Sequence, residues 1–335
     1  MVFSQERVDA FRDLLSTSSR IMVIGHRSPD GDAIGSSMAI THFLRSLGKE
    51  VSVWMPDAFP DFLSWIPGAS DIRIYEGSGK EANRIMADSD LILCMDFNRS
   101  DRTGPMSQVL MNTETPKVVI DHHLYPADEF VVTFSETQAS STCELVYRLI
   151  EAMGEKERVG MDIAHCVYSG LVTDTGSFKY NVHPHTHRIA GELVDLGLNS
   201  AEVQSALFDT QSEQRLRLLG YALSEKMRYF PAHNASYITL SKEELKRFNY
   251  KKGDTEGLVN YGLSIAGVKF TALASEKDGV VKISFRSKGD LDVNVIANEY
   301  FGGGGHKNAA GARSEEGLLR VIEIIEGIIK GLPTA

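Results

Sequence analysis

The stretch RIMVIGHRSPDGDAIGS at residues 20–36 joins an apolar run to a helical pattern through a turn rich in charged side chains. Residues 20–25 have the composition of a strand, and an amphipathic pattern begins at Ala33. Gly31 and Gly35 allow the backbone to fold tightly near the turn. The stretch therefore predicts a strand that leads through a turn into a helix, with acidic and histidine side chains on the turn.

The same alternation of strand and helix continues along the chain. Further strands are predicted at residues 51–55, 90–95 and 117–120. Amphipathic stretches, which predict helices, lie at residues 33–47, 80–88, 141–153 and 162–171. Strands that alternate with helices at this spacing form βαβ units around a parallel sheet. We therefore expect an α/β fold whose N-terminal domain has a mostly parallel sheet with helices on both faces.

The pattern changes after residue 195. Residues 196–229 are helical and rich in polar side chains, which predicts a helical linker. Beyond the linker, ASYITLS (235–241), VKFTALASE (268–276) and VVKISFRS (280–287) alternate with a period of two, as strands do. They are followed by two helices on either side of a glycine cluster. We predict a first domain at 1–195, the linker at 196–229, and a smaller α+β domain at 230–335.

Length, charge and cysteine content restrict the class of protein. The 335 residues exceed what one hydrophobic core usually supports, which agrees with two domains. The formal net charge of −10 disfavours tight binding of long nucleic acid, which needs a basic track, and favours a small charged ligand. No stretch approaches the roughly 18 apolar residues of a membrane span. The three cysteines are dispersed, so we expect a cytoplasmic protein with reduced, buried thiols and no membrane partner.

Acidic and histidine side chains follow the ends of the predicted strands and one predicted helix. A single Asp after a strand is usually a cap or turn residue, but several clusters at neighbouring strand ends are not explained in that way. Because the carboxyl ends of parallel strands meet at one edge of a sheet, these side chains can converge there. We predict a shared metal site from His26, Asp30, Asp32, Asp96, Asp121, His122, His123 and Asp174.

The ligand types indicate which metal the site would take. Imidazole combined with several carboxylates, and without a thiolate, favours Mn²⁺ over structural zinc, with Fe²⁺ and Mg²⁺ as less suitable alternatives. The candidate ligands outnumber what one tetrahedral ion requires. Two divalent cations about 3.5–4 Å apart that share one carboxylate would use them all.

Segments along almost the whole chain resemble the motifs of the DHH phosphoesterase superfamily. They are GHRSPDGDAIGS (25–36), CMDF (94–97), IDHH (120–123) and VTDTGSF (172–178). FGGGGHKNAAGA (301–312) is similar to the glycine-rich motif of the C-terminal, DHH-associated substrate domain. Length and layout are most similar to the bacterial nanoRNase group, which joins oligoribonuclease and 3′-phosphoadenosine-5′-phosphate phosphatase activities.

The resemblance implies a role for each residue of the constellation. One cation would be held by His26, Asp30 and Asp96. The other would be held by Asp32, Asp96, His122 and Asp174, so that Asp96 bridges the pair. His123 would not bind metal but would face the scissile phosphate, and we expect Asp121 and His123 to be the catalytic residues. A supporting role of His123 behind His122 stays open as an alternative.

The second domain is expected to bind the substrate. Gly303, Gly304 and Gly305 lack side chains and would let a phosphate or base approach the backbone, where successive N–H groups could form an anion-binding nest. His306 follows them directly. Arg286 is a candidate for a bidentate contact with a terminal phosphate, with a solvated surface position as the alternative. Arg102, six residues after Asp96, is a further candidate at the metal site.

These features predict an enzyme that hydrolyses short oligoribonucleotides to mononucleotides and 3′-phosphoadenosine 5′-phosphate to AMP and phosphate. A soluble phosphodiesterase for cyclic or linear dinucleotides could use the same motifs. A pyrophosphatase resembles the first domain, but the FGGGGH motif favours nucleotides. A nucleotide sensor without catalysis belongs to a different class, and the complete ligand set argues against it. The resemblance also makes a homodimer plausible.

Overall fold

The computed structural model describes residues 3–334 and divides into two compact units. The first unit ends at Thr210 and the second begins at Gln211. Each unit has its own sheet and its own hydrophobic cores. The α/β fold expected from the sequence, with a second and smaller sheet toward the C-terminus, is confirmed.

The first unit alternates strands and helices. Its strands are β1 (Arg20–Ile24), β2 (Glu50–Met55), β3 (Arg73–Ile74), β4 (Leu91–Met95), β5 (Lys117–Asp121) and β6 (Val132–Ser135). Its α-helices are α1 (Gln5–Thr17), α2 (Gly31–Ser46), α3 (Gly79–Asp88), α4 (Ser107–Asn112), α5 (Thr142–Ala152), α6 (Met161–Asp174), α7 (Pro184–Asp195) and α8 (Ser200–Phe208). Short 3-10 helices lie at Asp61–Leu63, Ala69–Asp71, Ser100–Met106 and Lys156–Arg158.

The sheet of the first unit is parallel throughout and has the order β3-β2-β1-β4-β5-β6. The strand order reverses between β1 and β4, because β2 and β3 extend to one side while β4 to β6 extend to the other. In open parallel sheets, ligands bind beyond the carboxyl ends of the strands at such a reversal. The topology therefore places the segments that follow β1 and β4 next to each other.

Helices cover both faces of this sheet, as the sequence predicts. On one face, apolar residues of α2, α5 and α6 pack with alternate residues of the strands, such as Val23 and Leu93. On the other face, α3 and α4 pack over Met22, Ile92 and their neighbours. The central strands β1, β4 and β5 are buried almost completely, which explains their nearly continuous apolar sequences.

The second unit is built around a mixed sheet. Its strands are β7 (Met227–Phe230), β8 (Ala235–Leu240), β9 (Phe270–Lys277), β10 (Val280–Ser287), β11 (Gly304–His306) and β12 (Ala309–Ser314). Its α-helices are α9 (Glu213–Tyr221), α10 (Lys242–Arg247), α11 (Val293–Phe301) and α12 (Leu318–Gly331). A π-helical turn spans Ala222–Lys226, and 3-10 helices lie at Pro231–His233 and Leu258–Ser264.

The order of this second sheet is β11-β12-β10-β9-β8-β7. Neighbouring strands pair antiparallel, except that β8 and β9 run parallel to each other. Helices α11 and α12 pack over one face, around Phe285 and Ile325. A smaller core around Leu218 and Leu273 lies under α9 and α10.

The predicted linker at 196–229 is divided between the two units. Helix α8 packs against α6 in the first unit, whereas α9 contributes Leu218 to a core of the second unit. Helix α8 buries Val203 and Leu207 and helix α9 buries Leu218, which the polar-rich composition of the stretch did not reveal. The domain boundaries at 195 and 230 stay a prediction.

The three cysteines are buried and unpaired. Burial raises the pKa of the thiols of Cys94, Cys143 and Cys166 above the ordinary range, so they remain protonated at neutral pH. Their burial agrees with the expectation from the sequence. Within residues 3–334, no helix combines the length and apolar character that crossing a membrane would require.

Candidate metal centre

The segment after β1 begins the candidate site. Helix α2 starts at Gly31, and Asp30 caps it by accepting hydrogen bonds from the N–H groups of Asp32 and Ala33, each at 3.1 Å. A Cβ atom on Gly31 would lie 2.4 Å from Oγ1 of Thr173, so only glycine lets α2 approach α6 here. This close approach brings the start of α2 and the end of α6 together.

His26, Asp30 and Asp96 form one group of ligand atoms, all within 4.8 Å of one another. The His26 Nε2 atom lies 3.4 Å from Asp96 Oδ2 and 3.8 Å from Asp30 Oδ1. Asp96 directly follows β4 and has a positive φ of 62°. Its N–H group donates to the carbonyl of Ile120 at 3.0 Å, which ties the end of β4 to β5.

Asp32, His122 and Asp174 form a second such group. The His122 Nε2 atom lies 3.3 Å from Asp174 Oδ2, 3.6 Å from Asp96 Oδ1 and 3.9 Å from Asp32 Oδ2. Asp96 thus faces His26 through one carboxylate oxygen and His122 through the other. A carboxylate between two imidazole groups in this way has the arrangement of a ligand shared by two metal ions.

His123 is held by the carboxylate of Asp121. The Nδ1 atom of the ring lies 2.7 Å from Asp121 Oδ1, and the His123 N–H group donates to Oδ2 at 3.1 Å. Asp121 has no exposed surface, so substrate cannot reach it directly. A hydrogen bond at Nδ1 fixes the ring orientation and directs Nε2 away from Asp121.

The amino end of α5 donates hydrogen bonds to Asp32 and Asp96. This role of α5 was not predicted from the sequence. The N–H groups of Thr142 and Cys143 donate to the two carboxylate oxygens of Asp32 at 2.6 and 2.9 Å. The Thr142 hydroxyl donates to Asp96 Oδ1 at 2.8 Å. The sequence did contain a signal, because Ser141 and Glu144 have the spacing of a helix start. That pattern predicts a helix start, and the parallel sheet then brings it to the edge with the acidic residues.

Burial and acidic neighbours oppose the ionisation of Asp32. Burial raises the pKa of Asp32 well above its usual range, and the neighbouring carboxylates of Asp96 and Asp174 raise it further. Asp32 and Asp96 are buried, whereas Asp30 and Asp174 are partly exposed, and the four carboxylates lie close together. A divalent cation would neutralise this excess negative charge, so the donor set of oxygen and imidazole nitrogen atoms fits the metal ions that the sequence predicts.

The histidines respond to the same charges. Burial lowers the pKa of His26, but the carboxylates of Asp30 and Asp96 outweigh burial and raise it to about 10. His122 shows the same balance, and its neighbouring carboxylates raise its pKa to about 9. Both rings are therefore protonated at neutral pH unless a cation displaces the protons.

His123 has the opposite shift. Burial lowers its pKa well below the usual value, and although the Asp96 carboxylate opposes this change, the charges of His122 and Arg102 add to it. The influence of Arg102 places its guanidinium in the electrostatic surroundings of the cluster. The Arg102 carbonyl also accepts a hydrogen bond from the N–H group of Arg27 at 2.9 Å, which fixes the segment after β1.

Arg286 and His306 lie in one row of the second sheet. Ala309 on β12 is paired with Arg286 on β10 and with His306 on β11. Residues directly opposite one another across strands share a face, so these two side chains project from the same face, and their backbones are about 10 Å apart at roughly 4.8 Å per strand. The unit therefore brings together two of the predicted substrate contacts.

The glycine run differs from the predicted anion-binding nest. The N–H groups of Gly302 and Gly303 donate to carbonyls at the end of α11, and the N–H group of Gly305 donates to Asn294 Oδ1 at 2.8 Å. These groups are therefore occupied within the fold. Glycine is required for a different reason, because a Cβ atom on Gly305, at φ 153°, would lie 2.5 Å from the Ala309 carbonyl oxygen. The run closes α11 and starts β11.

Comparison with known proteins agrees with these features. The profile of the DHH family, N-terminal domain, matches residues 20–171, and that of the DHHA1 domain matches residues 234–331. The crystal structure of an exopolyphosphatase-related protein from Bacteroides fragilis is 40% identical, with a TM-score of 0.92, over 98% of this chain and 96% of that one. The chain belongs to the DHH family. It is a phosphoesterase of that family, and its clustered histidine and acidic side chains could bind metal ions.

Two relatives of the chain are named for different activities. The bifunctional oligoribonuclease and PAP phosphatase NrnA of Bacillus subtilis is 27% identical over 305 residues, which cover 89% of this chain and 90% of the relative. The cyclic-di-AMP phosphodiesterase GdpP of Geobacillus thermodenitrificans is 28% identical over 319 residues. The match covers 91% of this chain but only 46% of GdpP. The DHH chain thus matches NrnA along its length and GdpP over about half of that protein.

Proposed function

We propose that this DHH protein is a two-metal phosphoesterase that hydrolyses short oligoribonucleotides to mononucleotides and 3′-phosphoadenosine 5′-phosphate to AMP and phosphate. The observation that carries the two-metal proposal is the position of Asp96, whose oxygens lie 3.4 Å from His26 Nε2 and 3.6 Å from His122 Nε2. The match to NrnA over 89% of the chain supports the choice of substrates.

The proposed ligands follow from the two groups of side chains. His26, Asp30 and Asp96 would hold one cation, while Asp32, Asp96, His122 and Asp174 would hold the other. Oxygen and imidazole ligands without a thiolate favour Mn²⁺ among the candidate ions. Bound in this way, two cations would lower the pKa of water and neutralise phosphoryl oxygens.

We assign His123 to the reacting phosphate and Asp121 to the support of His123. The lowered pKa of His123 makes the neutral ring the resting form, and with Nδ1 bonded to Asp121 the lone pair of the neutral ring lies on Nε2. A neutral Nε2 atom can accept a proton or a hydrogen bond at the substrate. This favours a proton-accepting His123 over a protonated one.

The remaining substrate contacts belong to the proposal as well. Arg286 and His306, on one face of the second sheet, would bind a terminal phosphate or base, and Arg102 would add positive charge near the cluster. Gly303, Gly304 and Gly305 would contribute by shaping the backbone beside His306. A homodimer and a cytoplasmic location stay predictions.

A turnover assay with added Mn²⁺ tests the proposal. The substrates are 3′-phosphoadenosine 5′-phosphate, RNA of two to five nucleotides, a 24-mer, cyclic di-AMP and pyrophosphate. We expect rapid hydrolysis of the first two and slow hydrolysis of the others. His122→Ala should abolish turnover, whereas His165→Ala, which removes a ring bonded to the Met161 carbonyl within α6, should not. Equal loss in both variants would contradict the proposed centre.

Cyclic-dinucleotide hydrolysis is the second candidate function. The 28% identity to GdpP over 319 residues favours it, because that relative is named as a cyclic-di-AMP phosphodiesterase. Preference for cyclic di-AMP in the assay would keep the proposed centre and replace the substrate. Preference for pyrophosphate would likewise keep the proposed metal centre and replace the substrate. Bound metal without turnover of any substrate would indicate a nucleotide sensor.

A further inference from the structure

The loop that follows β5 exposes a tyrosine beside the candidate metal centre. Tyr125 is 77% exposed, compared with 45–48% for Tyr229, Tyr261 and Tyr300. Among the residues that the structure describes, no hydrogen bond or ring contact engages its side chain. Single exposed apolar side chains are normal on protein surfaces, so the exposure of Tyr125 alone assigns it no function.

The backbone at Tyr125 is strained. Its φ angle is 61°, in the left-handed region that asparagine or glycine adopts more readily than a bulky residue. Such strain persists only where the surroundings hold the conformation, and strained residues cluster at functional sites. Asp96, in the neighbouring loop, has a similar φ of 62°.

The loop is held rigidly by its contacts with the segment after β4. The Asn98 side-chain amide donates to the carbonyls of Leu124 and Tyr125, the latter at 3.4 Å, and the Ala127 N–H group donates to the Asn98 carbonyl at 2.9 Å. Further along, both carboxylate oxygens of Glu129 accept hydrogen bonds from Ser100, at 2.7 and 2.8 Å. An exposed ring thus stands on a backbone that is fixed on both sides.

Tyr125 lies close along the chain to His123, which is proposed to face the reacting phosphate. Tyr125 follows His123 by two residues, so their Cα atoms are at most about 7 Å apart at roughly 3.6 Å per residue. Asn98, which holds the loop, follows Asp96 by two residues. The loop and the residue that holds it therefore lie within two residues of His123 and Asp96, which are proposed to face the phosphate and to hold the cations.

We propose that Tyr125 stacks on the base of the nucleotide whose phosphate is bound at the acidic cluster. Stacking needs only the ring face, so the residue would favour nucleotides over phosphoesters without a base, and it would do so with little preference for the base. This inference rests on the proposed function and specifies which side chain recognises the nucleoside. The strained, fixed backbone reduces the ordering that binding would otherwise require.

The test compares a dinucleotide with an abasic dinucleotide of the same backbone. For the dinucleotide, Tyr125→Ala should raise KM about 5- to 150-fold, as expected for loss of base stacking, with a smaller effect on kcat. For the abasic substrate the same variant should match the wild-type protein. Tyr125→Phe should restore the low KM, because the ring face remains. Tyr229→Ala serves as a control for loss of an exposed tyrosine on β7.

The outcomes separate this inference from the proposed function. A wild-type protein that hydrolyses no dinucleotide would refute the proposed function. A wild-type protein that does, with an unchanged KM in Tyr125→Ala, would refute the stacking alone. Equal losses on the dinucleotide and the abasic substrate would show a structural role of the loop and would also overturn the stacking proposal. Thermal unfolding of each variant establishes that it is folded.

Discussion

The hydroxyl group of Thr142 offers a direct way to perturb the candidate metal centre without removing a proposed ligand. It donates to Asp96 Oδ1 at 2.8 Å, and both side chains are buried. Thr142→Val keeps the shape of the side chain and the N–H group that bonds to Asp32, but it leaves Asp96 without this donor. The substitution therefore isolates one hydrogen bond to the carboxylate that lies between His26 and His122.

The expected magnitude follows from the kind of hydrogen bond that is lost. A hydrogen bond to a charged group contributes about 1.5–3 kcal/mol, which corresponds to about 10- to 150-fold in an equilibrium constant. Partners that orient metal ligands typically change metal affinity by about 10- to 100-fold when mutated. We therefore expect Mn²⁺ to bind Thr142→Val at least about tenfold more weakly.

Calorimetric titration of the chelator-treated protein with Mn²⁺ measures this effect directly and does not depend on turnover. Thr142→Ser, which retains the hydroxyl, should bind Mn²⁺ nearly as well as the wild-type protein. Thr41→Val is a matched control, because Thr41 is also buried but donates to the Ser37 carbonyl within α2. Unchanged affinity in Thr142→Val, or an equal loss in Thr41→Val, would refute the reasoning.

Three further predictions follow from the charges and packing of the first unit. Mn²⁺ affinity should rise between pH 6.5 and 9, because the pKa values of His26 and His122, raised to about 10 and 9, require both rings to lose protons on binding. Titrations in buffers of different ionisation enthalpy should detect this proton release. The absence of proton release would contradict the ligand assignment. By the same linkage, the metal-depleted protein should lose stability as pH rises from about 6.5 through 9 to 10, seen as a falling Tm. Gly170→Ala should destabilise the fold by about 1–3 kcal/mol, since its Cβ atom would lie 2.2 Å from Cys143 Sγ. Gly191→Ala, with open space around it, should leave Tm unchanged or raised, so similar Tm changes in the two variants would contradict this packing.

Part of the candidate site could be predicted because its residues follow strands. His26, Asp96 and Asp121 come directly after predicted strands, with His122 next to Asp121, and the parallel arrangement alone implies that they share an edge of the sheet. Thr142 could not be assigned in this way. Its role depends on α5 starting opposite α2, and that placement results from packing between segments that are far apart in the sequence.

Strand register and local pairing explain other differences. The row formed by Arg286, Ala309 and His306 depends on the register of β10, β12 and β11, which periodicity does not specify. Strand β3 has only the residues Arg73–Ile74, and β6 has Val132–Ser135, so neither gave a clear period. The glycine run predicted as a nest instead closes α11, since a left-handed Gly302 ends that helix.

The burial of the natural cysteines has a practical consequence for spectroscopy. Cys94, Cys143 and Cys166 should not react with maleimides in the folded protein, so they need not be replaced before labelling. Met111 in the first unit and Leu319 in the second are 51% and 80% exposed. Cysteines introduced at these two positions could carry a pair of dyes or spin labels. Their separation, measured with and without substrate, would report whether the two units move relative to each other during turnover.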